Sequence, residues 1–263
     1  MTETFQISPE QAEMYEAKYV PAIFAQWAPL LLDAAHVTTG QRVLDVACGT
    51  GILARSAADR VGPSGAVTGL DLNEGMLTVA RRLAPDVEWR HGDAADLPFE
   101  PDSYDAVLCQ SGLMFFPDPD QTLREMRRVC RPGGTVGVQV YASLGSQPAY
   151  GPWVELVARH AGPEATRLLS TYWAHGDLDE LGRRFDTAGL VVEDVHTRLG
   201  TVRWASADEM VQVEIEGSPL IDRISDAQYT AIRNESRELL GEYRTDTGLQ
   251  APIGAHLVIA RQR

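Results

Sequence analysis

Apolar segments typical of strands alternate with amphipathic segments typical of helices over residues 42–142. The strand segments are RVLDVA, GAVTGLDL, DVEWRHGD, SYDAVLCQ and TVGVQVYA. They are nearly continuous apolar runs, as expected when helices cover both faces of a parallel sheet. Strand and helix at this interval predict βαβ units, and therefore a doubly wound, mostly parallel α/β sheet.

The flanking segments predict added helices. Residues 9–35 carry apolar side chains at helical spacing, and Pro21 and Pro29 are expected to kink or divide that helix. After residue 142 the pattern predicts helices over residues 152–188, 206–216 and 225–241, with strands in GLVVEDVHTRLG and APIGAHLVIARQR. We therefore predict an N-terminal helical lid over 1–38 and a core over 39–263, with substrate-shaping helical insertions at 145–177 and 203–250.

Composition narrows the class of partner. The 263 residues carry a net charge of −14, which disfavours a nucleic-acid backbone as substrate and favours small-molecule chemistry. The three cysteines lack CxxC spacing, which argues for a reducing compartment and against a zinc site. No segment approaches the roughly 20 apolar residues that a membrane span needs, so we expect a cytoplasmic protein.

The stretch RVLDVACGTGILA joins the first strand to a helix through a glycine-rich turn. Gly49 and Gly51 fit the pattern GxGxxA, and Asp71 lies 20 residues beyond Gly51, a combination that also satisfies a dinucleotide-binding fingerprint. Charge favours a different ligand. A pyrophosphate beside Asp45 would meet a like charge in a partly desolvated cleft, whereas an ammonium and a sulfonium would be attracted. The turn therefore favours S-adenosylmethionine over NAD.

Further stretches follow at regular intervals: GLDLNEGML, HGDAADLPF, YDAVLCQSGLMFF and LREMRRVCRPGG. Together with VLDVACGTG they resemble the class I S-adenosylmethionine-dependent methyltransferases, specifically the methyltransferase-11/UbiE-like group of small-molecule enzymes. The resemblance covers about residues 40–142. It implies a seven-stranded Rossmann-like sheet, S-adenosylmethionine as methyl donor and S-adenosylhomocysteine as product.

The resemblance also implies which residues hold the donor. The first motif would place four residues at the methionine end, namely Asp45, Ala47, Gly49 and Gly51. The second and third motifs would place Asp71 on the ribose, Leu72 and Met76 beside the adenosine, and Asp93 with Ala94 on the adenine.

Gln110 and Ser111 end the fourth strand, where the resemblance implies that they face cofactor and substrate. A buried amide that bonds only within the sheet is the alternative for Gln110. The sequence departs from the family pattern in two places. Ala47 stands where many members have glycine, and QSGLMFFPDPD lacks the Asn/Asp-Pro-Pro-Tyr/Phe signature of enzymes that methylate amino groups on bases and protein amides.

Aromatic and sulfur-bearing side chains supply candidates for the acceptor pocket, with core packing as the alternative for each. They are Tyr19, Met114, Phe115, Trp153, Tyr172 and Trp173. His160 and His175 are candidate general bases for an aliphatic hydroxyl, although each alternatively is an ordinary surface or packed histidine.

The sequence thus predicts a metal-independent methyltransferase that acts on a small molecule, with O-methylation favoured. Three alternatives stay open: C-methylation of a quinone or lipid-like ring, a non-catalytic S-adenosylmethionine-binding protein, and an NAD-dependent oxidoreductase. The sequence leaves oligomeric state open.

Overall fold

A computed structural model describes residues 7–216 and 218–262 of the chain. Residues 1–6 of the predicted N-terminal lid lie outside the described residues, as do residues 217 and 263 of the predicted core. Strands and helices alternate through the first half. The strands are β1 (Arg42–Val46), β2 (Ala66–Asp71), β3 (Glu88–His91), β4 (Tyr104–Gln110) and β5 (Cys130–Tyr141).

Helices precede and connect these strands. They are α1 (Pro9–Met14), α2 (Trp27–Ala34), α3 (Ile52–Val61), α4 (Glu74–Leu83) and α5 (Pro119–Val129). A π-helical segment, Tyr15–Phe24, separates α1 from α2 and contains Pro21. Pro29 lies in the first turn of α2, where a backbone N–H is not needed for the helix. The predicted helix is thus divided, and Pro21 lies inside the π-helical segment between the two α-helices.

The second half adds five helices and three strands. They are α6 (Tyr150–Ala161), α7 (Pro163–Leu169), α8 (Leu178–Thr187), β6 (Leu190–Trp204), α9 (Ala207–Glu216), α10 (Asp226–Leu239), β7 (Arg244–Thr245) and β8 (Gly248–Gln262). The predicted helix over 152–188 is interrupted after Ala161, because Gly162 adopts φ +85° and ends α6.

The sheet has the order β3-β2-β1-β4-β5-β8-β6, and β7 pairs with β8 off this path. The pairs β1–β2, β1–β4, β2–β3 and β4–β5 are all parallel. The α/β class predicted from sequence is confirmed. Among the described residues the sheet has eight strands, one more than the seven predicted, because the two-residue β7 pairs with β8. Within β5, Cys130 pairs with Tyr104 and Thr135 with Ala106, so residues 131–134 bulge out.

Alternate residues of each central strand enter cores on opposite faces of the sheet. On one face Val43 and Leu108 pack with α2 and α3 around Leu31. On the other face Leu44 and Val107 pack with α5 and α8. Burial on both faces is the physical reason that these strands are apolar throughout.

The described residues divide into two compact units. Unit 1 contains residues 7–140, 177–197 and 256–262, and unit 2 contains 141–176, 198–216 and 218–255. Among the described helices, none has the length and apolar character that a bilayer crossing requires.

Unit 2 places a half-buried carboxyl group among aromatic side chains. Tyr150 donates a hydrogen bond to Glu214 at 2.9 Å, and its ring contacts Trp153 and Trp173. Trp153 in turn donates from Nε1 to Ser236 Oγ at 3.0 Å. Burial raises the pKa of Glu214 from its ordinary 4.5 to about 7, partly offset by the bond from Tyr150. A half-buried acid in unit 2 therefore titrates near neutral pH.

Replacing Glu214 with Gln tests this assignment. The folded carboxyl holds its proton up to a pH of about 7 and the unfolded one only to about 4.5, so the free energy of unfolding falls as pH rises through this window. Since the side chain is only half-buried, we expect the wild type to lose on the order of 1–2 kcal/mol between pH 5 and pH 8 relative to Glu214→Gln. Urea denaturation at both pH values measures the difference. The exposed Glu216→Gln serves as control, and parallel pH profiles for all three proteins would contradict the assignment.

Candidate functional site

The carboxyl ends of β1, β2, β3 and β4 meet at one edge of the sheet. Asp45 of β1 lies beside Gly69 of β2 and Leu108 of β4, and Asp71 of β2 pairs with His91 of β3. From β1 the chain continues outward to β2 and β3 and then returns to β4 on the other side of β1. This change of direction is the topological switch point where open α/β sheets bind ligands. Most of the residues predicted to hold the donor lie at this edge.

The first loop, residues 47–51, follows β1 in a left-handed conformation. Ala47, Gly49 and Gly51 have φ of +58°, +55° and +88°. Around the position that a Gly49 Cβ would take, no described atom lies within 4 Å, whereas at Gly51 a Cβ would lie 2.3 Å from the Trp89 ring. The two glycines thus serve different purposes: Gly49 leaves room beside the backbone, and Gly51 leaves room for Trp89.

Asp45 is buried at the base of this loop, with 1% of its surface exposed. Its Oδ2 accepts a hydrogen bond from the Ala54 N–H in the first turn of α3, at 2.9 Å. Its Oδ1 accepts none from the described residues. Burial, with a smaller contribution from the charge of Asp71, raises the pKa of Asp45 well above its usual range. Burial thus favours the neutral carboxyl, and a cation brought to this edge would stabilise the ionised form.

Asp71 joins the first loop to the end of β2. Its Oδ2 accepts from the Gly49 N–H at 2.7 Å, and its Oδ1 accepts from the Asn73 N–H at 2.8 Å. Burial raises the pKa of Asp71, and these backbone donors lower it in part. A carboxylate has about four lone-pair positions, so Asp71 retains acceptor capacity for a ligand's hydroxyl groups. From sequence, Asp71 is either a ribose ligand or a strand-end or helix-cap acid before Asn73, and its bond to the Gly49 loop has no sequence signal.

The remaining donor-site candidates surround this pair of acids. Leu72 is 41% exposed and follows Asp71 directly, while Met76 is half-buried on the first turns of α4. Asp93 is exposed and its Oδ1 accepts from the Ala95 N–H at 2.8 Å. The side chain of Ala94 belongs to the core, so only its backbone is open to a ligand.

A side-chain clamp from α5 holds the loop that carries Asp93. Arg128 donates to the carbonyl oxygens of Leu97 and Phe99, each at 2.8 Å, and pairs with Glu125 at 2.6 Å. Glu125 Oε2 also accepts the Leu97 N–H at 2.9 Å. The hydrogen bonds from Arg128 hold the pKa of Glu125 below its usual range. Charge-assisted bonds thus position this loop together with the packing of Leu97 and Phe99 against the core.

Gln110 and Ser111 end β4 beside Gln139 of β5. Gln110 Nε2 donates to the Phe24 carbonyl oxygen at 3.1 Å, and Ser111 Oγ donates to Gln139 Oε1. Ser111 adopts φ +53°, an uncommon conformation for a residue with a side chain. Gln139 was not predicted as a site residue. A glutamine inside the apolar run TVGVQVYA is the sequence feature that indicates it.

Three acceptor-pocket candidates lie in unit 1. Tyr19 stacks on Tyr15 with ring centroids 5.7 Å apart, Met114 is buried and Phe115 is 47% exposed. The others lie in unit 2 and are described within it. Trp153 and Trp173 are buried among its aromatic side chains, which supports the packing alternative for both.

The remaining candidates in unit 2 have close neighbours. Tyr172 makes an edge contact with Tyr141, with centroids 6.5 Å apart. His160 Nε2 lies 2.8 Å from Glu235 Oε1, and His175 is half-buried. As catalytic bases, both histidines stay predictions. Across residues 7–216 and 218–262, no three His, Cys, Asp or Glu side chains are grouped so as to hold a metal ion.

Substituting Gly51 by Ala should destabilise the fold more than the same change at Gly49. Both substitutions force alanine into a left-handed conformation, at a cost of about 1–2 kcal/mol. Only Gly51→Ala also drives a methyl group into Trp89, which adds about 1–3 kcal/mol. Urea denaturation of the two variants measures this difference, and equal losses would show that Trp89 does not constrain Gly51.

Replacing Arg128 with Lys should release the loop from α5, because a point-like ammonium cannot span two carbonyl groups and a carboxylate. We expect the free energy of unfolding to fall by about 1–2 kcal/mol and the Leu97 amide to exchange with solvent at least 10-fold faster. Hydrogen exchange read by NMR measures the second effect. Arg124→Lys on the exposed face of the same helix is the control, and unchanged Leu97 exchange in Arg128→Lys would refute the clamp.

Comparison with known proteins agrees with this geometry. Residues 43–134 match the family described as a methyltransferase domain. The chain is 42% identical over 128 residues to a demethylmenaquinone methyltransferase of Renibacterium salmoninarum, a match that spans 49% of this chain and only 51% of that protein. With a demethylmenaquinone methyltransferase of Staphylococcus aureus it is 34% identical over 191 residues, which cover 67% of this chain and 78% of that protein.

The fold has counterparts among solved structures. The structure of Haemonchus contortus phosphoethanolamine N-methyltransferase 2, in complex with phosphomonomethylethanolamine and S-adenosylhomocysteine, aligns with a TM-score of 0.60 at 22% identity. The alignment covers 97% of this chain and 57% of that one. The motifs, the fold and the relatives agree, and the chain belongs to the class I S-adenosylmethionine-dependent methyltransferases.

Proposed function

We propose that unit 1 binds S-adenosylmethionine at the carboxyl ends of β1 to β4 and transfers its methyl group to a small, neutral acceptor. The observation that carries this proposal is a pair of acids, the buried Asp45 and the half-buried Asp71, beside the open backbone at Gly49. Asp45 keeps one oxygen without a hydrogen bond from the described residues. These features fit a ligand that carries an ammonium and a sulfonium, and they disfavour a pyrophosphate.

Different residues would bind the methionine, ribose and adenine parts of the donor. Asp45 and the backbone of residues 47–51 would hold the methionine end, and Asp71 would accept from both ribose hydroxyls. Leu72 and Met76 would cover the adenosine, while Asp93 and the backbone of Ala94 would read the adenine.

The N-terminal segment would complete the donor site as a lid. Arg55 of α3 pairs with Glu16 at 2.7 Å and donates to the Thr50 carbonyl oxygen at 2.9 Å. Both side chains of the ion pair are about four-fifths buried, with 20% and 19% exposed. This contact ties the π-helical segment to the first loop. The helical insertions at 145–177 and 203–250 would shape the acceptor pocket.

When bound, S-adenosylmethionine supplies an electrophilic methyl group on a positive sulfur. The chain has to align the acceptor with that methyl group and exclude water, and such positioning can lower a barrier by about 7–11 kcal/mol. A phenol or quinol that ionises readily needs no strong base from the protein. We therefore propose a transfer that depends on orientation and uses no metal ion.

Two acceptor atoms are candidates. The sequence favours transfer to oxygen, as stated above. The relatives in Renibacterium salmoninarum and Staphylococcus aureus are named for demethylmenaquinone, and methylation of that quinone is on carbon. This favours a ring carbon as the second candidate. A hydroxyl-bearing ring fits both, because the oxygen is either the nucleophile or the group that activates the ring carbon.

Thermal-shift titration separates the candidate ligands. At 100 times the dissociation constant, a ligand of the native state adds about 2.7 kcal/mol to the free energy of unfolding, so S-adenosylmethionine and S-adenosylhomocysteine should raise the Tm and NAD should not. Asp71→Ala should bind S-adenosylhomocysteine about 10–100-fold more weakly, since it loses hydrogen bonds to a charged group. Asp59→Ala, at an exposed position on α3, is the matched control.

A shift with NAD alone, or full affinity in Asp71→Ala, would refute the donor assignment. A panel of phenols and quinols then tests transfer, with NMR of the product to tell oxygen from carbon. Donor binding without formation of S-adenosylhomocysteine on any acceptor would identify a non-catalytic binding protein.

A further inference from the structure

Two glutamines stand side by side at the carboxyl ends of β4 and β5. Gln110 and Gln139 are register partners on parallel strands, so their side chains lie on the same face of the sheet. Gln139 is fully buried and Gln110 is 9% exposed. The residue two positions earlier on β4, Leu108, belongs to the apolar core of that face. Two buried amides beside an apolar core are costly unless their polar atoms are hydrogen-bonded.

A hydrogen bond to a carbonyl oxygen fixes the orientation of the Gln110 amide, and Ser111 holds the Gln139 amide beside it. Gln110 Nε2 donates to the Phe24 carbonyl oxygen, so a flipped amide would set two carbonyl oxygens against each other. Gln139 Oε1 accepts from Ser111 Oγ, and the Ser111 N–H donates to the Gln139 carbonyl oxygen at 3.1 Å. The outer atoms of the two amides are therefore an acceptor, Gln110 Oε1, and a donor, Gln139 Nε2.

Neither outer atom has a hydrogen-bond partner among the described residues, and both are buried. They are not bonded to each other, although they belong to adjacent residues of the sheet. A buried polar atom left unsatisfied costs about 1–3 kcal/mol, and most buried side-chain amides are satisfied. One group that both donates and accepts would satisfy the two atoms together.

The chemistry of that group follows from the pair. A carboxylate only accepts and would leave Gln110 Oε1 unpaired, and an ammonium only donates and would leave Gln139 Nε2 unpaired. A neutral hydroxyl does both. The charges of Asp45 and Asp71 reach this strand, since both raise the pKa of Cys109, the residue before Gln110. An anionic acceptor is disfavoured there for the same reason.

We propose that Gln110 and Gln139 form a binding subsite for a neutral hydroxyl of the methyl acceptor, with Gln110 Oε1 accepting its proton in a hydrogen bond and Gln139 Nε2 donating to its oxygen. The subsite rests on the proposed function, because it names the acceptor class for that reaction. It orients a ring oxygen and forms no covalent bond. It also adds Gln139 to the residues that select the substrate.

Calorimetry with a matched pair of probes tests the subsite: 2-naphthol, which has the hydroxyl, and 2-methoxynaphthalene, which lacks its proton. The protein is titrated with each probe after saturation with S-adenosylhomocysteine. We expect the wild type to bind 2-naphthol about 10-fold more tightly, the ratio that corresponds to one net hydrogen bond. Gln139→Met and Gln110→Met should reduce this ratio to within twofold.

Controls separate this subsite from other uses of the amides. Gln139→Glu keeps an acceptor for Ser111 and, in its ionised form, replaces the outer N–H donor with a carboxylate oxygen. Titrated above the pKa of the new carboxyl, it should lose the preference even if Gln139→Met fails to fold. Gln41→Met removes a glutamine that comes before β1, at the opposite edge of the sheet, and should retain the preference. Affinity for S-adenosylhomocysteine should stay within twofold in the Gln139 variants.

Several results would overturn the proposal. A wild type that binds both probes equally, or binds neither, would show that the amides do not select a hydroxyl. A preference kept in both Gln139 variants would exclude Gln139 from the subsite, and a 10-fold loss of S-adenosylhomocysteine affinity would assign the amides to the donor. If S-adenosylhomocysteine itself does not bind, the proposed function fails, and the probe pair on the unliganded protein still tests the amides separately.

Discussion

The hydrogen bond from the Gly49 N–H to Asp71 is the contact on which the candidate site depends. It joins the loop after β1 to the end of β2, across 22 residues of chain, and it places a buried carboxylate within the reach of a second one at Asp45. Two neighbouring acids with raised pKa values form a region that favours cations. The same bond therefore sets the shape of the loop and the charge of the ligand that the loop accepts.

The sheet could be predicted from the sequence because its strands are buried on both faces. Val43 and Leu44 point into different cores, so both faces of the strand have to be apolar. The result is an uninterrupted apolar run that is easy to recognise in the sequence. The helices of the second half were harder to delimit. Periodicity shows that a segment is amphipathic, but the end of α6 is set by the left-handed backbone at Gly162, and the bulge in β5 by pairing with β4.

Individual site residues were accessible from sequence, and their mutual contacts were not. The motif around Asp71 indicates an acid at a strand end, but its second role depends on a bond to Gly49 that only the folded sheet creates. Gln139 lies 28 residues from Ser111, and the hydrogen bond from Ser111 occupies its Oε1 and leaves its Nε2 available. Local patterns thus identify which groups are present, whereas register between strands decides which atoms remain available to a ligand.

Ala47 carries a methyl group in a left-handed backbone conformation that more commonly holds glycine. A Cβ added to Gly112, in the loop after β4, would come within 2.9 Å of that methyl group and 2.8 Å of Cys109 Sγ. The two loops therefore share one small volume, and side-chain size at one position limits size at the other. Substitutions at the two positions are expected to be non-additive, and any residue larger than glycine at 112 also has to displace Cys109 Sγ.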